Sequence, residues 1–225
     1  MKKSGLLLAA AAVAGMLLTG MLLTGCGASQ KSTFSPSVSC VYVAQDGSVS
    51  SALVKEYEGD TVNSKDLQQY LEAAVIRFNQ ENGAQGLAEN KMGADKLPAS
   101  LQSVTADKGV MKAVFDYASL EDLIKFRQTE DNEDTSNTVT ALEVSKVADA
   151  DAAGWLAEGQ FVKADGSPAS AEEIKSDAAA SAARISGGGN IMFSGKVLYM
   201  TEGIEKKDEY TVTVPEGENA LVVFK

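Results

Sequence analysis

The chain has 225 residues and a formal net charge of −11, because 31 Asp and Glu outnumber 20 Lys and Arg. Nucleic-acid phosphates and anionic lipid headgroups repel such a surface, which argues against a nucleic-acid-binding protein. The sequence contains no histidine, so it excludes Ser-His-Asp and Cys-His catalysis and zinc sites with imidazole ligands. The absence of histidine does not exclude enzymes that use paired carboxylates or a serine with a lysine.

The N-terminus is organised as an export leader. Two lysines near the start precede an uncharged stretch rich in Leu and Ala, Gly5–Gly25, which ends at the lipobox Leu23-Thr24-Gly25-Cys26. These residues closely resemble a bacterial lipoprotein signal. The resemblance implies that residues 1–25 are a removed signal peptide and that the Cys26 thiol accepts a diacylglyceryl group. The alternative is an uncleaved membrane helix, since about 20 apolar residues span a bilayer, but such a helix needs no lipobox.

Lipidation at Cys26 predicts where the protein works. Residues 26–37 are expected to form a lipidated flexible tether, and residues 38–225 one domain at the outer face of the cytoplasmic membrane. Because the two lysines of the leader are removed with it, the formal charge changes from −11 to −13, which favours a monomer. The second cysteine, Cys40, lies in an apolar run, so we expect a buried and reduced thiol.

The first half of the domain is predicted to alternate hairpins and helices. Alternation around Asp46-Gly47, a strong turn signal, predicts a β-hairpin over Val38–Glu58. A helix follows a cap at Asn63 or Ser64, and Asn82-Gly83 ends it. The same signals predict a second hairpin and a short helix over Ser100–Thr105, Val110–Tyr117 and Ser119–Arg127.

The second half is predicted to be richer in strands. We expect the acidic segment Gln128–Asn137 to be exposed, and Trp155 and Phe161 to lie in the core. A capping box at Ser170 predicts an Ala-rich helix that ends before Gly187. Alternating apolar residues predict one earlier strand and a C-terminal β-meander over Thr138–Val147, Ile191–Met200, Glu209–Val214 and Ala220–Phe224.

This order of elements predicts an α+β fold. Strands come in pairs with intervening helices and without regular βαβ alternation. We therefore expect a mostly antiparallel sheet built from hairpins, two or three helices packed on it, and the C-terminal meander.

Several short motifs accompany this pattern: Val41-Tyr42-Val43, Asp46-Gly47-Ser48-Val49, Phe115-Asp116-Tyr117, Gly195-Lys196-Val197-Leu198-Tyr199 and Val222-Val223-Phe224-Lys225. Together they resemble a group of lipoproteins from clostridial Gram-positive bacteria, loosely and over the whole mature chain. The resemblance implies a cell-envelope setting and no catalytic residues.

Two acidic groups were considered as cation sites. The segment Asp131-Asn132-Glu133-Asp134 puts four oxygen-bearing side chains in one loop, but such charges more often spread into water. Asp149 and Asp151 begin like an EF-hand, yet the fifth and twelfth positions are Ala153 and Gln160, which leaves the ligand shell incomplete. We therefore predict no metal site.

Other candidate sites also have simpler explanations. Gly187-Gly188-Gly189 follows a predicted helix, whereas a phosphate-binding loop precedes one. We therefore expect these glycines to cap the C-terminus of the helix and to form a flexible connection to the next strand. Glu56 and Glu58, like Asp208 and Tyr210, share a strand face, but without a cleft they define no active site. Cys26 is thus the one functional residue predicted, with no catalytic or cofactor-binding residue.

We expect a non-catalytic, lipid-anchored envelope protein that binds an unknown envelope protein or ligand and contacts the membrane through Cys26. One alternative is a histidine-independent enzyme acting on the cell wall, using carboxylates or a Ser-Lys pair. Another is a small solute-binding component of a transporter, a class that usually needs two lobes larger than this chain allows.

Overall fold

The computed structural model describes Phe34 and residues 36–58, 62–129, 136–157 and 159–225. Within this part of the chain it has four helices and thirteen strands, and the predicted α+β class with mostly antiparallel sheets is confirmed. One compact unit spans Phe34–Lys225. The predicted signal peptide, the lipidation residue Cys26 and the acidic group Asp131–Asp134 lie outside the described residues.

The elements are numbered in chain order. The helices are α1 Ser64–Glu81, α2 Leu120–Arg127, α3 Val147–Ala152 and α4 Ala171–Ser176. Sheet A contains β1 Cys40–Val43, β2 Val49–Glu56, β3 Ala99–Asp107, β4 Val110–Tyr117, β9 Gly189–Phe193, β11 Glu205–Lys206 and β12 Thr211–Val214. Sheet B contains β5 Ala141–Lys146, β6 Phe161–Lys163, β7 Pro168–Ala169, β8 Ser181–Ser186, β10 Val197–Thr201 and β13 Asn219–Phe224.

The spatial order of the strands differs from their order in the chain. Sheet A runs β11-β12-β9-β1-β2-β4-β3 and sheet B runs β5-β8-β13-β10-β6-β7. Among the described strands, the β1–β9 pair is parallel and every other pair is antiparallel. Strand β1 therefore lies in the middle of sheet A, between its own hairpin partner and a strand nearly 150 residues later.

The turn and the helix cap predicted for the first half of the domain are present. In the β1–β2 turn, Asp46 Oδ1 accepts a hydrogen bond from Ser48 N at 2.9 Å, and Gly47 has a φ of 81°. Asn63 caps α1, its side chain accepting from the backbone N–H groups of Lys65 and Asp66. These contacts satisfy backbone groups that have no partner inside the turn or the first helical turn.

The two sheets share one main hydrophobic core. Buried residues of sheet A, including Val41 and Phe193, belong to the same cluster as Ile185 and Phe224 of sheet B. The rings of Phe193 and Phe224 lie 4.6 Å apart between centroids. Helices α1 and α2 add to this core, whereas α3 and α4 enclose a second cluster with residues of sheet B. The chain thus has enough apolar surface to bury both faces of sheet B.

The Ala-rich segment is helical only in its first part, contrary to the predicted helix ending before Gly187. Ser170 caps α4 as expected, its Oγ accepting from Glu173 N at 3.2 Å, but α4 ends at Ser176. Residues 181–186 form β8, between β5 and β13. Ala182 and Ala183 are fully buried there, because packing on both faces of this central strand overrides the helix preference of alanine.

Two predictions about exposure are correct only in part. Asn137 belongs to the segment expected to be exposed, yet it is buried, and Arg127 Nη1 donates to its Oδ1 at 2.7 Å and to its backbone O at 3.0 Å. Trp155 is half-buried at the edge of the second cluster, and the neighbouring Leu156 takes the buried position. Phe161 is buried as predicted.

The three glycines of residues 187–189 join the sheets rather than capping a helix. They connect β8 of sheet B to β9 of sheet A. A Cβ atom on Gly188 would lie 2.7 Å from Glu216 Cα, and one on Gly189 would lie 2.8 Å from Asn137 Cα. Close backbone approach therefore requires glycine here. The C-terminal strands are divided between the two sheets: β9, β10 and β13 each pair with an earlier strand, whereas β11 and β12 pair only among the C-terminal strands.

Candidate functional site

Among the described residues, the acidic side chains singled out in the sequence do not converge on one site. Asp151 Oδ1 lies 3.3 Å from Lys175 Nζ, which neutralises it. Asp208 Oδ1 accepts from the backbone N–H groups of Tyr210 and Thr211 at 2.7 and 2.8 Å and so shapes the turn before β12. In the described part of the chain, no group of three or more Cys, Asp or Glu side chains is arranged to hold a metal ion. Glu56 and Glu58 are exposed at the end of β2.

A row of six residues crosses sheet A from β12 to β3. Each is the register partner of the next, and together we call them the transverse row: Thr211, Met192, Tyr42, Ser50, Asp116 and Ser100. Five of the six carry a hydroxyl or a carboxylate. Because register partners point to the same side of a sheet, the row forms one line that is polar except at Met192.

The row lies on the face of sheet A that points away from the main core. Along β1, Val41 and Val43 are buried in that core, so Tyr42 between them points outward. Along β4, Phe115 and Tyr117 are core residues and Asp116 lies between them. Strand alternation therefore exposes polar side chains here while it anchors each strand through its apolar neighbours.

Hydrogen bonds hold the middle of the row in place. Ser50 Oγ donates to Asp116 Oδ1 at 2.6 Å. The Tyr42 hydroxyl interacts with Ser194, whose Oγ also accepts from Gln45 N at 3.1 Å. Within the described residues, Asp116 Oδ2 forms no hydrogen bond. One carboxylate oxygen is thus fixed by the protein, and the other is available to a ligand.

The Tyr42 hydroxyl stays protonated at neutral pH. Burial is the main cause that raises the pKa of Tyr42 above its ordinary value; Asp46 raises it further, and the hydrogen bond with Ser194 opposes the rise. A protonated phenol both donates and accepts a hydrogen bond. Two strands further along the row, Asp116 offers an acceptor, so the middle of the row presents both kinds of group.

Both ends of the row are covered. At one end Ser100 is buried, and its Oγ accepts from Asn90 N at 3.0 Å and from Gln102 Nε2 at 3.2 Å. At the other end Thr211 Oγ1 is buried without a hydrogen-bond partner in the described structure. Met192, Tyr42, Ser50 and Asp116 are each half-buried between these ends, and the last three form the accessible polar part of the row.

An aromatic pair borders the accessible part. The Phe34 ring lies 4.7 Å from the Tyr42 ring between centroids, at an interplanar angle of 36°. Phe34 also packs against the apolar patch of Cys40, Ala52 and Val114 on the same face. Cys40 is fully buried, as predicted, and forms no disulfide with any described residue. The segment that precedes β1 therefore contacts the outer face of sheet A before the chain enters the sheet.

A second concave surface lies at the far edge of sheet B. It has a volume of about 370 Å³ and is lined by residues of β6, β7 and the start of α4, together with Gln160 before β6 and Glu202 after β10. Glu202 N donates to Gln160 O at 2.8 Å and so joins two of its walls. The Oγ of Ser170, another lining residue, is used to cap α4.

Comparisons with known proteins return no match to this chain from the protein-family models, the curated proteins or the solved structures. Among the helices that the structure describes, none combines the length and apolar character needed to cross a bilayer.

Sequence reasoning did not find the transverse row. The motif Phe115-Asp116-Tyr117 was noticed, but only as part of a resemblance. Tyr42 and Asp116 lie 74 positions apart, and they meet through the order β1-β2-β4, which alternation within one strand does not reveal. The available signal was a polar residue flanked by two core residues in β1 and in β4, Tyr42 and Asp116.

Proposed function

We propose that this protein is a lipid-anchored protein of the cell envelope and that its compact unit, Phe34–Lys225, is a non-catalytic binding domain. The observation that carries the proposal is the lipobox Leu23-Thr24-Gly25-Cys26 behind an apolar stretch. Lipid on Cys26 would place the domain at the outer face of the cytoplasmic membrane. The transverse row supplies the binding surface.

The tether supports this choice of surface. Phe34 is eight residues from Cys26, a stretch that reaches about 28 Å at most when fully extended. Phe34 itself packs on the outer face of sheet A beside Tyr42. An anchor at Cys26 would therefore keep Phe34, and the strand β1 that follows it, within about 28 Å of the membrane surface. A ligand at the membrane surface or in the innermost wall would lie within reach of the transverse row.

The chemistry of the row favours binding over hydrolysis. Retaining and inverting glycosidases use two carboxyl groups facing one cleft, about 5 to 9.5 Å apart. The row contains a single carboxylate, Asp116, and its Oδ1 accepts a hydrogen bond from Ser50. One oriented carboxylate beside two hydroxyls suits recognition of a polar ligand.

Metabolic labelling tests the anchor. Cells expressing the wild type are grown with a clickable palmitate analogue and compared with cells expressing Cys26→Ala. We expect label on the wild type alone, and a Cys26→Ala protein that keeps its leader and migrates as a larger species. Cys40→Ala is the matched control and should be labelled like the wild type, because Cys40 is buried in β1. Equal labelling of Cys26→Ala would refute the proposal.

A further inference from the structure

We propose, building on the function proposed above, that the middle of the transverse row binds a neutral, linear glycan. The residues that would contact it are Tyr42, Ser50, Asp116 and Ser194, with the Phe34 ring at the border. Four properties of this surface favour such a ligand: its hydrogen-bonding groups, their spacing, its aromatic border and its charge.

The hydrogen-bonding groups match a sugar. Sugar hydroxyls both donate and accept, so a site for them needs both functions within a short distance. Tyr42 supplies a protonated phenol and Asp116 supplies Oδ2, a charged acceptor without a partner in the described structure. Hydrogen bonds to a carboxylate are stronger than those between neutral groups. The bond from Ser50 to Oδ1 fixes the carboxylate plane, so a ligand does not have to order it.

The spacing of these groups suits a chain lying across the strands. Tyr42, Ser50 and Asp116 are register partners on three neighbouring strands. Neighbouring strands are about 4.8 Å apart, which is close to the length of one sugar ring in a linear glycan. Successive rings would therefore meet successive polar groups. The covered ends at Ser100 and Thr211 leave a short site that accommodates a few rings.

The aromatic border supplies the apolar contact that sugar rings need. One face of a pyranose consists of C–H groups, which pack on aromatic rings. Phe34 and Tyr42 form a tilted pair of rings at the edge of the polar groups, and both are half-buried. Phe34 is held there by its contact with the patch of Cys40, Ala52 and Val114. An aromatic side chain fixed in this way provides contact area at low entropic cost.

Charge selects a neutral ligand over an anionic one. The mature chain would carry a formal charge of −13, and Asp116 places a carboxylate in the row itself. Hydrogen bonds from Ser48, and to a smaller extent the charge of Lys96, lower the pKa of Asp46, so this neighbour of the site is also ionised. Phosphate-rich polymers would be repelled by these groups. Neutral glycan strands would not.

The test uses the full-length lipidated protein in detergent micelles, titrated calorimetrically with chitohexaose and cellohexaose as neutral β-linked probes. We expect at least one probe to bind and to bind about tenfold more weakly to Asp116→Asn and to Tyr42→Phe. Tyr210→Phe and Asp107→Asn, which alter exposed residues outside the row, are the matched controls and should bind like the wild type. Thermal melting confirms that each variant is folded.

Several outcomes would overturn the glycan proposal. These are failure of both probes to bind at millimolar concentration, equal binding by the row variants and the wild type, or tighter binding of poly(glycerol phosphate) than of either glycan. Sedimentation of the leaderless chain, residues 26–225 carrying Cys26→Ala, with phosphatidylcholine vesicles, abolished by Phe34→Ala, would instead assign the face to membrane contact. Because palmitate labelling is measured separately, loss of the anchor and loss of glycan binding are distinguishable.

Discussion

The side chain of Asn79 on α1 hydrogen-bonds to the backbone of Ala99 on β3 in the way that a neighbouring strand would. Its Nδ2 donates to Ala99 O at 2.8 Å, and its Oδ1 accepts from Ala99 N at 2.9 Å. A further bond from Nδ2 reaches Leu87 O at 2.8 Å. Strand β3 is the edge of sheet A, so this fully buried amide closes part of an edge that is otherwise prone to pair with other chains.

Removing that amide should destabilise the domain strongly. Asn79→Ala leaves the buried N–H and C=O of Ala99 without partners, and each unsatisfied group costs about 1–3 kcal/mol. We expect the free energy of unfolding to fall by about 2–4 kcal/mol, measured by urea denaturation. Gln69→Ala, on the exposed side of the same helix, is the control and should change it by less than about 0.5 kcal/mol. An unchanged midpoint for Asn79→Ala would contradict the role of this pair.

The glycine connection between the two sheets, residues 187–189, gives a steric prediction. Gly188→Ala would drive a Cβ atom to 2.7 Å from Glu216 Cα, a backbone contact that no side-chain rotation relieves. We expect the free energy of unfolding, measured by urea denaturation, to fall by about 3 kcal/mol, in the upper range for overpacking. Gly166→Ala is the comparison, because Gly166 has a φ of 85° and open space around its Cα, so its cost is limited to about 1–2 kcal/mol of backbone strain. Equal losses of unfolding free energy for Gly188→Ala and Gly166→Ala would show that the backbone around Gly188 shifts to accept a Cβ atom.

Trp155 reports on the surface of sheet B. The Arg184 guanidinium lies 4.9 Å from the Trp155 ring centroid, and its Nη2 is 2.9 Å from Glu143 Oε1. Since Trp155 is the single tryptophan of the chain, we expect Arg184→Ala to shift its fluorescence emission and to cost at most about 1 kcal/mol. Arg184→Lys keeps the charge without the planar group and should give a smaller spectral change. Emission unchanged in both variants would contradict the stacked arrangement.

Tyr42 should make stability depend on pH in the alkaline range. Its pKa is raised in the folded state, mainly by burial, so the folded protein retains this proton longer than the unfolded chain. The corresponding stability is complete below the unfolded value of about 10 and is lost as pH rises towards the folded value. We therefore expect the stability difference between wild type and Tyr42→Phe to be constant from about pH 6 to 9 and to fall above pH 10. A difference that stays constant in alkali would place Tyr42 in water.

Local chemistry explains which parts of the fold were predicted. The turn at Asp46-Gly47 and the caps at Asn63 and Ser170 depend on contacts between residues two or three positions apart. Such contacts form wherever the segment lies in the molecule. They therefore locate the first hairpin, α1 and the start of α4 correctly. Burial of Cys40 followed in the same way from an apolar run in a strand.

Predictions failed where distant residues decide the conformation. Ala182 and Ala183 have a strong local preference for helix, but the strands on either side of β8 make them part of a sheet. Asn137 belongs to a polar segment, yet Arg127 bonds to it and buries it. In both cases the energy of a contact with another element exceeds a preference that is worth less than about 1 kcal/mol per residue.

The sequence alone predicts the leader and the anchor at Cys26, and it located most of the turns and helix starts, because these depend on short motifs. Only the tertiary structure decided which strands are neighbours, and with them the transverse row. Tyr42, Ser50 and Asp116 come together because β1, β2 and β4 pair in that register, with core residues on one face and these three on the other. Pairing energies between strands distant in the chain are absent from any local pattern, so a site built across strands exists only once the sheet has formed.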